Sequence, residues 1–371
     1  MRVIIAGGGI VGLSAAAALR AQGTEFVVCE QAERVRAAGA SIGLWRNALE
    51  VFDAAGIGQR VAELGTPIST WFYDERGAAF RAPGSTEQDH AFSLLPRPEL
   101  NALLADAAGP AGVRVESRVV GFDEDERGVT VHFADGPSER ADLLIGADGV
   151  YSKVRERLLP GSVAANHPGH HAWRGVLPTR GEPAEGSVLT VGRERTRGGF
   201  TRTYGRMTMW MVNQFDCAPL AGTAKQQALE RVAHIAEDGW NAALAGLIEA
   251  TPNEAILHNQ IMRVPELPRF ASGRVVLVGD AAHGLSPHIA AGGTLGVEDI
   301  GVLVRELAGR QDVPAALEAY NADRLARYSR VREHSLAVEN AVDAAGYAKH
   351  YAAFSHWMLA ERPRIEQILP R

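Results

Sequence analysis

Three glycines near the beginning of the sequence have a spacing that can bind a pyrophosphate. Gly7, Gly9 and Gly12 form a G-x-G-x-x-G pattern. The pattern lies between an apolar segment, residues 2–6, and an alanine-rich segment, residues 10–23, which favour a buried strand and a helix. In such a unit the first glycine makes the turn, the second admits the phosphates, and the third lets the helix pack on the strand. Because a helix N-terminus also attracts anions, the pattern predicts a dinucleotide-binding unit.

A carboxylate stands where this unit would meet a ribose. Glu30 ends the next apolar segment, about 20 residues beyond the glycines, and a carboxylate at this place binds ribose hydroxyls. Its charge would repel a 2′-phosphate on that ribose, so the unit suits FAD or NAD rather than NADP. The unit by itself leaves FAD, NAD and a turn without a ligand as alternatives.

A second glycine-rich stretch distinguishes the two cofactors. Residues 279–293, GDAAHGLSPHIAAGG, contain four glycines and four alanines, so the backbone can approach a flat ligand closely. Asp280 is placed to accept hydrogen bonds from ribityl or ribose hydroxyls. A helix predicted to begin near Thr294 would direct its positive N-terminus at an anionic ring edge. Because the ribityl chain and wide ring of a flavin need walls that a nicotinamide does not, this stretch favours FAD.

The elements around these loops indicate an α/β protein with an inserted sheet. Strand-like segments precede both glycine-rich stretches, and alternating segments typical of antiparallel strands fill residues 171–265 before a helical pattern at 224–250. A helix at 44–56 and a hairpin at 70–80 are also predicted. With 371 residues the chain is long enough for two domains. The predicted division is an FAD-binding domain from residues 1–66, 96–170 and 266–325, a substrate domain from 67–95 and 171–265, and a C-terminal helical segment, 326–371.

Composition argues against several classes of function. The formal charge of −6 disfavours a general nucleic-acid binder, and no apolar run reaches the ~18 residues of a membrane span. The sequence starts with a strand-like segment, which leaves no room for a signal peptide. Cys29 and Cys217 are expected to be free thiols, and these features together predict a cytoplasmic protein. No spacing of histidines and carboxylates matches a metal site, so no metal is expected.

Together with a third motif, these features resemble the single-component FAD-dependent aromatic monooxygenases, the para-hydroxybenzoate hydroxylase class, and within it the compact bacterial urate hydroxylases. The third motif is Asp148-Gly149 in ADLLIGADGVYSKVR, and GDAAH with Pro287 downstream matches the family's ribityl motif. The resemblance implies a Rossmann-like FAD-binding domain of the glutathione-reductase type with an inserted antiparallel β-sheet and C-terminal helices. The predicted FAD contacts are Gly7, Gly9, Val11, Gly12, Glu30, Gln31, Ser41, Ile42, Gly43, Arg97, Val119, Asp148, Gly149, Asp280, Pro287, Ala291, Gly292, Gly293 and Thr294.

The resemblance also implies a reaction. NADH or NADPH, as a transient co-substrate, reduces the flavin, O2 then forms a flavin C4a-hydroperoxide, and one oxygen atom enters a small aromatic or heteroaromatic, phenol-like substrate. The alternative on the same chemistry is a flavin-dependent epoxidase or oxidative tailoring enzyme of secondary metabolism. A flavin-holding protein without turnover is disfavoured by the intact motifs, and a flavin halogenase by the lack of a W-x-W-x-I-P segment. The expected assembly is a monomer or a homodimer.

The sequence departs from the urate enzymes at several positions. His288 stands where they have an acidic residue, Arg46 stands where a proline is common, and residues 290–293 read AAGG in place of the usual Gly-Gln-Gly. These departures leave FAD binding intact and argue against urate as the substrate. A histidine beside the flavin, with a pKa near neutrality, would suit proton transfer with a phenolic substrate, so His288 is the predicted catalytic residue. A hydrogen bond from His288 to the loop backbone is the alternative.

The inserted segment supplies candidates for the wall of a substrate site. Strand alternation places Met207, Met209 and Met211 on one face and Trp210 on the other, and such stripes more often form a sheet core. The predicted substrate contacts are Trp173, Arg202, Tyr204 and Trp210, with Met209 and Met211 as further candidates.

Overall fold

The computed structural model describes most of the chain. The described residues are 1–35, 41–68, 71–81, 92–182, 189–218 and 220–361. Parts of the predicted substrate domain, and residues 362–371 of the predicted C-terminal segment, lie outside them. No helix of the described residues is long and apolar enough to cross a membrane.

The described residues form 18 strands and 11 α-helices. The strands are β1 (Arg2–Ala6), β2 (Glu25–Cys29), β3 (Ser41–Trp45), β4 (Thr66–Ile68), β5 (Trp71–Tyr73), β6 (Ala79–Arg81), β7 (Phe92–Pro96), β8 (Val113–Arg114), β9 (Val119–Asp125), β10 (Gly128–Phe133), β11 (Glu139–Ala141), β12 (Leu143–Gly146), β13 (Ala165–Pro178), β14 (Thr190–Val191), β15 (Thr196–Thr203), β16 (Met207–Gln214), β17 (Leu257–Arg263) and β18 (Val275–Leu277). The helices are α1 (Ile10–Ala21), α2 (Arg46–Ala54), α3 (Gly58–Leu64), α4 (Arg97–Ala108), α5 (Lys153–Leu158), α6 (Ala224–Val232), α7 (Ala242–Ala250), α8 (Asp280–His283), α9 (Gly292–Gly309), α10 (Val313–Glu339) and α11 (Ala344–Ala360).

A parallel five-stranded sheet carries the glycine-rich loops. Its strand order is β18-β12-β1-β2-β8, and Val3 of β1 lies opposite Leu143 on one side and Phe26 on the other. The inner strands are largely apolar and buried, as expected of a covered parallel sheet, and α1 packs on β1 and β2 and also contacts α4 and α9. The predicted α/β class is confirmed. The loops that follow β1, β2, β12 and β18 all emerge at the carboxyl edge of this sheet.

A seven-stranded sheet lies beside it. Its order is β17-β13-β16-β15-β14-β5-β6, and its pairs are antiparallel except for β14 with β5. The hairpin predicted at 70–80 is confirmed, since Phe72 of β5 lies opposite Phe80 of β6 in antiparallel register. One face of this sheet packs on α6 and α7. A smaller sheet, β3-β7-β4, contacts both α9 and β15, so the two larger sheets are bridged at this point.

Two predicted helices differ from the structure. The helix predicted at 44–56 begins at Arg46, because Leu44 and Trp45 pair with β7 as the end of β3. The helical pattern at 224–250 forms two helices, α6 and α7. Asp238 and Asn241, with φ of 49° and 55°, lie between them in the left-handed region, which a continuous helix cannot contain.

Candidate active site

Three cavities lie in a row beside the carboxyl ends of the parallel strands. The first has a volume of about 470 Å³, the middle one about 190 Å³ and the inner one about 270 Å³. Gly9 and Gly149 line both the first and the middle cavity, and Asp280 and Gly292 line both the middle and the inner cavity. The three cavities therefore form one continuous trough, which follows the loops after β1, β12 and β18.

The trough brings together most of the residues predicted to contact FAD. Those lining the first cavity are Gly7, Gly9, Glu30, Gln31, Val119, Asp148 and Gly149. Those lining the middle or the inner cavity are Gly9, Val11, Ser41, Ile42, Gly43, Arg97, Gly149, Asp280, Pro287, Gly292 and Gly293. His288, the predicted catalytic residue, lines the inner cavity.

Three predicted contacts, Gly12, Ala291 and Thr294, line none of the three cavities. A Cβ on Gly12 would lie 2.0 Å from the carbonyl oxygen of Gly7, so this glycine lets α1 pack on the first loop. Ala291 is fully buried in an apolar cluster, and the Thr294 hydroxyl accepts a hydrogen bond of 2.9 Å from the Trp45 backbone N–H. Because α9 begins at Gly292, Thr294 lies inside the helix. Gly12 has the packing role expected of the third glycine, and contacts of these three residues with FAD remain predictions.

The glycines of the trough divide into two groups by what a side chain would meet. A Cβ on Gly7 would lie 2.4 Å from the carbonyl oxygen of Ala147, and Gly7 also has a φ of 105°. Added Cβ atoms on Gly9 and Gly149 would meet no atom within 4 Å. Gly7 is therefore required by the turn itself, whereas Gly9 and Gly149 leave free space on the wall of the trough, as a bound pyrophosphate needs.

Glu30 is held in place at the first cavity by its own surroundings. Its Oε2 accepts a hydrogen bond of 2.8 Å from the Gly8 N–H, and its Oε1 accepts one of 2.8 Å from the Ala32 N–H. Each carboxylate oxygen retains a further lone pair for a ligand hydroxyl. The carboxylate is thus fixed before a ligand binds.

Asp148 serves both as a turn residue and as an open acceptor. Its Oδ2 accepts hydrogen bonds from the backbone N–H groups of Lys153, at 2.7 Å, and Val154, at 3.2 Å, at the start of α5. Its Oδ1 is buried without a hydrogen-bond partner. Burial raises the pKa of Asp148, partly offset by the Ser152 hydroxyl and by hydrogen bonds from backbone N–H groups. A buried carboxylate oxygen without a donor is costly, so the geometry calls for a donor from a ligand.

A charged pair lies where the middle and inner cavities join. Arg97, the first residue of α4, and Asp280, the first residue of α8, line both cavities. Burial lowers the pKa of Arg97, and the Asp280 carboxylate opposes this effect. Asp280 is exposed to the trough, so its oxygens are accessible to hydroxyl groups of a ligand.

A buried ionic network holds the loop after β18. Asp299 of α9 accepts hydrogen bonds from the Gly279 N–H at 2.8 Å, from His283 Nε2 at 2.7 Å and from Arg324 Nε at 2.7 Å. Arg324 also forms an ion pair with Glu298 at 3.2 Å. All of these side chains are at most 1% exposed. The sequence analysis did not identify this network, because its members come from three helices, α8, α9 and α10, and from Gly279, and their packing is not visible in a local pattern.

The inner cavity combines apolar walls with polar atoms that lack partners. Its apolar walls come from β7, β16 and α11 and include Phe92, Leu94, Met209, Met211, Tyr347 and Tyr351. The buried polar atoms without a hydrogen-bond partner are the Oδ1 of Asn213, the hydroxyl of Tyr351, the Oγ of Ser286, the Nε of Arg174, and the Nε and Nη1 of Arg197. Buried polar groups are normally paired, so this set indicates a ligand with both ring and polar substituents.

Arg197 is a fixed cation at the wall of the inner cavity. Its Nη2 donates to the carbonyl oxygens of Val338, Glu339 and Ala341 at 2.9 to 3.1 Å, and its guanidinium lies 4.9 Å from the ring centre of Phe215. Burial lowers the pKa of Arg197 to about 10, so the side chain is still charged at neutral pH. With one nitrogen anchored and two free, it is suited to bind an anion.

His288 is buried rather than open to proton exchange. Its Nε2 lies 3.0 Å from the Nε2 of His170, and the Tyr347 hydroxyl donates to its carbonyl oxygen at 2.8 Å. Burial, together with the positive charge of Arg197, lowers the pKa of His288 well below the ordinary value of 6.5. The expectation of a pKa near neutrality is therefore wrong, because both influences disfavour the imidazolium form.

The four predicted substrate contacts lie away from the inner cavity. Trp173 and Trp210 are fully buried against α6 and α7, where their Nε1 atoms donate to Gln227 at 3.2 Å and Thr251 at 2.9 Å. The two other candidates are placed elsewhere: Arg202 donates to the Glu182 carbonyl oxygen, and Tyr204 is 45% exposed.

The opposite face of the same strands lines the inner cavity. It contributes Ala172, Arg174, Met209, Met211 and Asn213. Alternation along the strands separated the two faces correctly, but it did not tell which one faces the cofactor. Arg174 of β13 and Arg197 of β15 are arginines within strands, where arginine is seldom buried, and they were the available signal for the cavity side.

The trough fits an extended FAD. Gly9 and Gly149, with their free faces, line the first and middle cavities, and the unpartnered Asp148 Oδ1 lies at the first. The exposed Asp280 carboxylate lies where the middle and inner cavities join, so phosphates and hydroxyl groups of the cofactor have room and partners along the trough. The inner cavity beyond Gly292 then has space for a ring.

Comparison with known proteins agrees with this geometry. The family described as FAD binding domain matches residues 1–335. The chain is 34% identical to the aurachin C monooxygenase/isomerase of Stigmatella aurantiaca, over 88% of this chain and 86% of that protein. It is 32% identical to an FAD-dependent urate hydroxylase of Klebsiella pneumoniae, over 88% and 86%, and 31% identical to the 6-hydroxynicotinate 3-monooxygenase of Bordetella bronchiseptica, over 90% of each.

Solved structures show the same fold. The structure of Klebsiella pneumoniae HpxO with FAD and uric acid superposes with a TM-score of 0.79 and 26% identity, over 99% of this chain and 96% of that chain. A substrate complex of salicylate hydroxylase superposes with a TM-score of 0.75 at 24% identity, over 97% and 94%, and supports the fold alone. The resemblance to FAD-dependent aromatic monooxygenases and the predicted cofactor FAD are thereby confirmed. This chain belongs to the FAD binding domain family and is a flavoprotein monooxygenase.

Proposed function

We propose that the enzyme hydroxylates a small aromatic or heteroaromatic compound at the expense of NADH or NADPH. One molecule each of NAD(P)H, a proton, O2 and the aromatic substrate gives NAD(P)⁺, water and the hydroxylated product. Bound FAD supplies the transfer of reducing equivalents and the activation of O2. The observation that carries the proposal is the inner cavity, in which apolar walls and unpartnered buried polar atoms meet beside Asp280 and Gly292.

The residues of the trough would hold the cofactor along its length. Glu30 would bind ribose hydroxyls, and Gly9 would leave room for the pyrophosphate. The Asp148 Oδ1 would accept a hydrogen bond, and Asp280 would accept hydrogen bonds from ribityl hydroxyls. The N-terminus of α9, at Gly292, would place partial positive charge beside the ring.

The charge of the inner cavity favours a substrate that binds as an anion. The described residues that line it include three arginines, Arg97, Arg174 and Arg197, and one carboxylate, that of Asp280, so positive charge predominates. An ionised hydroxyl group donates electron density to its ring, which makes a ring carbon more reactive towards an electrophilic oxygen. Arg197 would stabilise this ionised form through its free nitrogens, and the apolar walls would exclude water from the reacting ring.

The relatives support this substrate class and also a second candidate. Relatives at 31 to 32% identity are named for urate and 6-hydroxynicotinate, both small heteroaromatic compounds. The 34% identity to a protein named aurachin C monooxygenase/isomerase favours oxidative tailoring of a secondary metabolite, including epoxidation, as the alternative. We propose further that the enzyme acts in the cytoplasm as a monomer or homodimer, with Cys29 and Cys217 free in the described structure.

The test is substrate-dependent turnover of the purified protein. A panel of phenols, hydroxybenzoates and hydroxylated N-heteroarenes is offered with FAD, NADH or NADPH, and O2. We expect at least one acidic aromatic compound to stimulate NAD(P)H oxidation and to give a product that carries one atom from labelled O2. An epoxide or its diol would favour the second candidate. NAD(P)H oxidation without any oxygen incorporation across the panel would contradict the proposal.

A further inference from the structure

His170 and His288 form a stacked pair beside the inner cavity. Their Nε2 atoms lie 3.0 Å apart, and their ring centres lie 4.9 Å apart with an angle of 13° between the planes. Phe215 stacks on His170 at 3.9 Å and lies 4.8 Å from His288. Both histidines are buried, and His288 is the member that lines the cavity. A contact between two ring nitrogens is favourable when one of them carries a proton and the other does not.

The surroundings of His170 indicate which nitrogen carries that proton. Its Nδ1 is buried and has no hydrogen-bond partner. Buried N–H groups without an acceptor are rarer than buried acceptors without a donor. The favoured tautomer of His170 therefore has an unprotonated Nδ1 and a proton on Nε2. This N–H then donates to the Nε2 of His288. A neutral His288 must in turn carry its proton on Nδ1, which is the ring nitrogen left for a ligand.

The charged groups around the pair keep it neutral. The neighbours with charged or titratable side chains are Arg197 of β15, Arg195 just before that strand, Arg263 of β17 and His167 of β13. Tyr347 of α11 donates its hydroxyl hydrogen to the His288 carbonyl oxygen. His167 is engaged with Glu339 at 2.8 Å. Burial and these neighbours lower the pKa of both His288 and His170, the latter to about 2. A neutral imidazole that resists protonation and carries an N–H complements an anion.

Resting on the hydroxylase function proposed above, we propose that His170 is a positioning residue. It donates its Nε2–H to the Nε2 of His288 and so keeps the His288 proton on Nδ1. His288 then acts as a hydrogen-bond donor to an anionic oxygen of the substrate, next to the free nitrogens of Arg197, and not as a base. The anionic oxygen belongs to a carboxylate or to an ionised ring hydroxyl.

The tautomers can be read directly by NMR. In the FAD-loaded protein with nitrogen-15 histidine, long-range proton–nitrogen correlation spectra near neutral pH distinguish rings protonated on Nδ1 from rings protonated on Nε2. We expect His288 to be protonated on Nδ1 and His170 on Nε2, assigned from the signals that are lost in His288→Gln and His170→Gln. A His288 protonated on Nε2, or one that is doubly protonated, would overturn the inference.

Two substitutions of His170 separate a positioning role from a merely structural one. His170→Phe keeps the stacking on Phe215 but removes the donor, whereas His170→Gln keeps an N–H near the place of Nε2. The probes are benzoate and phenol, which show whether the site prefers a carboxylate or a hydroxyl group. Benzamide is the neutral control. Binding of each probe is followed by the change in flavin absorbance. We expect His170→Phe to raise about tenfold the dissociation constant of the probe that binds as an anion, benzoate or ionised phenol. His170→Gln should restore most of the lost affinity.

Controls keep this experiment independent of the proposed reaction. His258→Phe alters another stacked histidine, 4.8 Å from Trp173 and outside the cavity lining, and should leave probe affinity unchanged. Benzamide affinity should stay the same in all variants. If neither the benzoate affinity nor the phenol affinity differed among wild type, His170→Phe and His170→Gln, the positioning role would be refuted. Because neither the spectra nor the affinities need turnover, a failed search for a hydroxylated product would count against the proposed function alone.

Discussion

The guanidinium of Arg197 lies 4.8 Å from the ring centre of Tyr347, which fixes a buried cation against an aromatic wall of the inner cavity. Three backbone carbonyl oxygens hold one of its nitrogens, and the two others remain without partners. The anchored nitrogen means that little side-chain entropy remains to be lost when an anion binds.

Arg197→Met should weaken binding of an anionic aromatic ligand. Hydrogen bonds to a charged group contribute about 1.5–3 kcal/mol, so the dissociation constant should rise at least tenfold. Titration of the flavin absorbance with the ligand measures it. Arg195→Met is the matched control, because Arg195 lies over the same Phe215 ring, at 4.4 Å, but pairs with Asp216 and does not line the cavity. Equal affinities in both variants would refute the anion site.

Glu30→Ala should weaken FAD binding. The substitution removes a fixed carboxylate from the first cavity, with an expected loss of about 1.5–3 kcal/mol for a charge-assisted hydrogen bond to a ribose hydroxyl. Fluorescence titration of the apoprotein with FAD measures it. Glu33→Ala, an exposed carboxylate close by in the sequence, is the control. An FAD affinity that does not change in Glu30→Ala would remove the ribose assignment.

Gly9→Ala should weaken FAD binding, whereas Gly12→Ala should destabilise the fold. Gly9 has a φ of −77°, which alanine adopts without strain, and its added Cβ meets no protein atom, so the apoprotein should keep its stability and lose FAD affinity. The added Cβ of Gly12 would meet the Gly7 carbonyl oxygen at 2.0 Å, so this variant should lose about 1–3 kcal/mol of unfolding free energy. Apoprotein unfolding and FAD titration of both variants check the contrast. A destabilised Gly9→Ala apoprotein with normal FAD affinity would contradict it.

Arg324→Met should strongly destabilise the fold. It leaves the carboxylates of Glu298 and Asp299 buried with fewer partners, and breaking a buried ion pair costs about 3–5 kcal/mol. Chemical unfolding measures the loss. Arg330→Met is the control on the same helix, since its ion pair with Glu333 is solvent-exposed and should contribute less than about 1 kcal/mol. Similar losses in the two variants would mean that the network contributes no more than a surface pair.

The same network should make the folded protein less stable at acidic pH. Burial alone would raise the pKa of Asp299, but His283, Arg324 and the hydrogen bonds outweigh it and lower the pKa. A carboxyl group with a depressed pKa in the folded state stabilises the fold above its unfolded pKa, and this contribution is lost as pH falls through the folded value.

The pair of His170 and His288 should make stability fall on mild acidification. Burial lowers the pKa of both residues, so the unfolded chain takes up protons below about pH 6.5 while the folded chain does not. Each histidine then contributes a slope of up to about 1.4 kcal/mol per pH unit, with stability lost as the pH decreases.

Unfolding free energies measured between about pH 7 and pH 5 test this slope. His170→Gln should reduce it, because one buried imidazole is gone. His356→Gln, at an exposed position on α11, should leave it unchanged. A wild-type slope equal to that of His170→Gln would show that the buried pair does not resist protonation.

Local sequence patterns determined the cofactor-binding part of this protein. Gly7, Asp148 and Asp280 each lie within three residues of the end of a parallel strand, and the carboxyl ends of such strands meet at one edge of a sheet. The chemistry of each loop could therefore be assigned from its own few residues. The exact start of α9 was not predictable in the same way: the helix begins at Gly292, two residues before Thr294, whose hydroxyl accepts a hydrogen bond from the Trp45 N–H.

The substrate side was decided only by the tertiary structure. Alternation separates Trp210 from Met209 and Met211, but only the docking of the seven-stranded sheet shows that the methionine face lines the cavity and that the tryptophan face packs on α6 and α7. His170 and His288 lie 118 residues apart, so no local pattern relates them, and burial in the folded protein changed the protonation expected of His288. Short-range sequence rules fix what a strand and its following loop can do. Which side chains meet across different elements, and how far burial shifts their charge, depends on packing between distant parts of the chain.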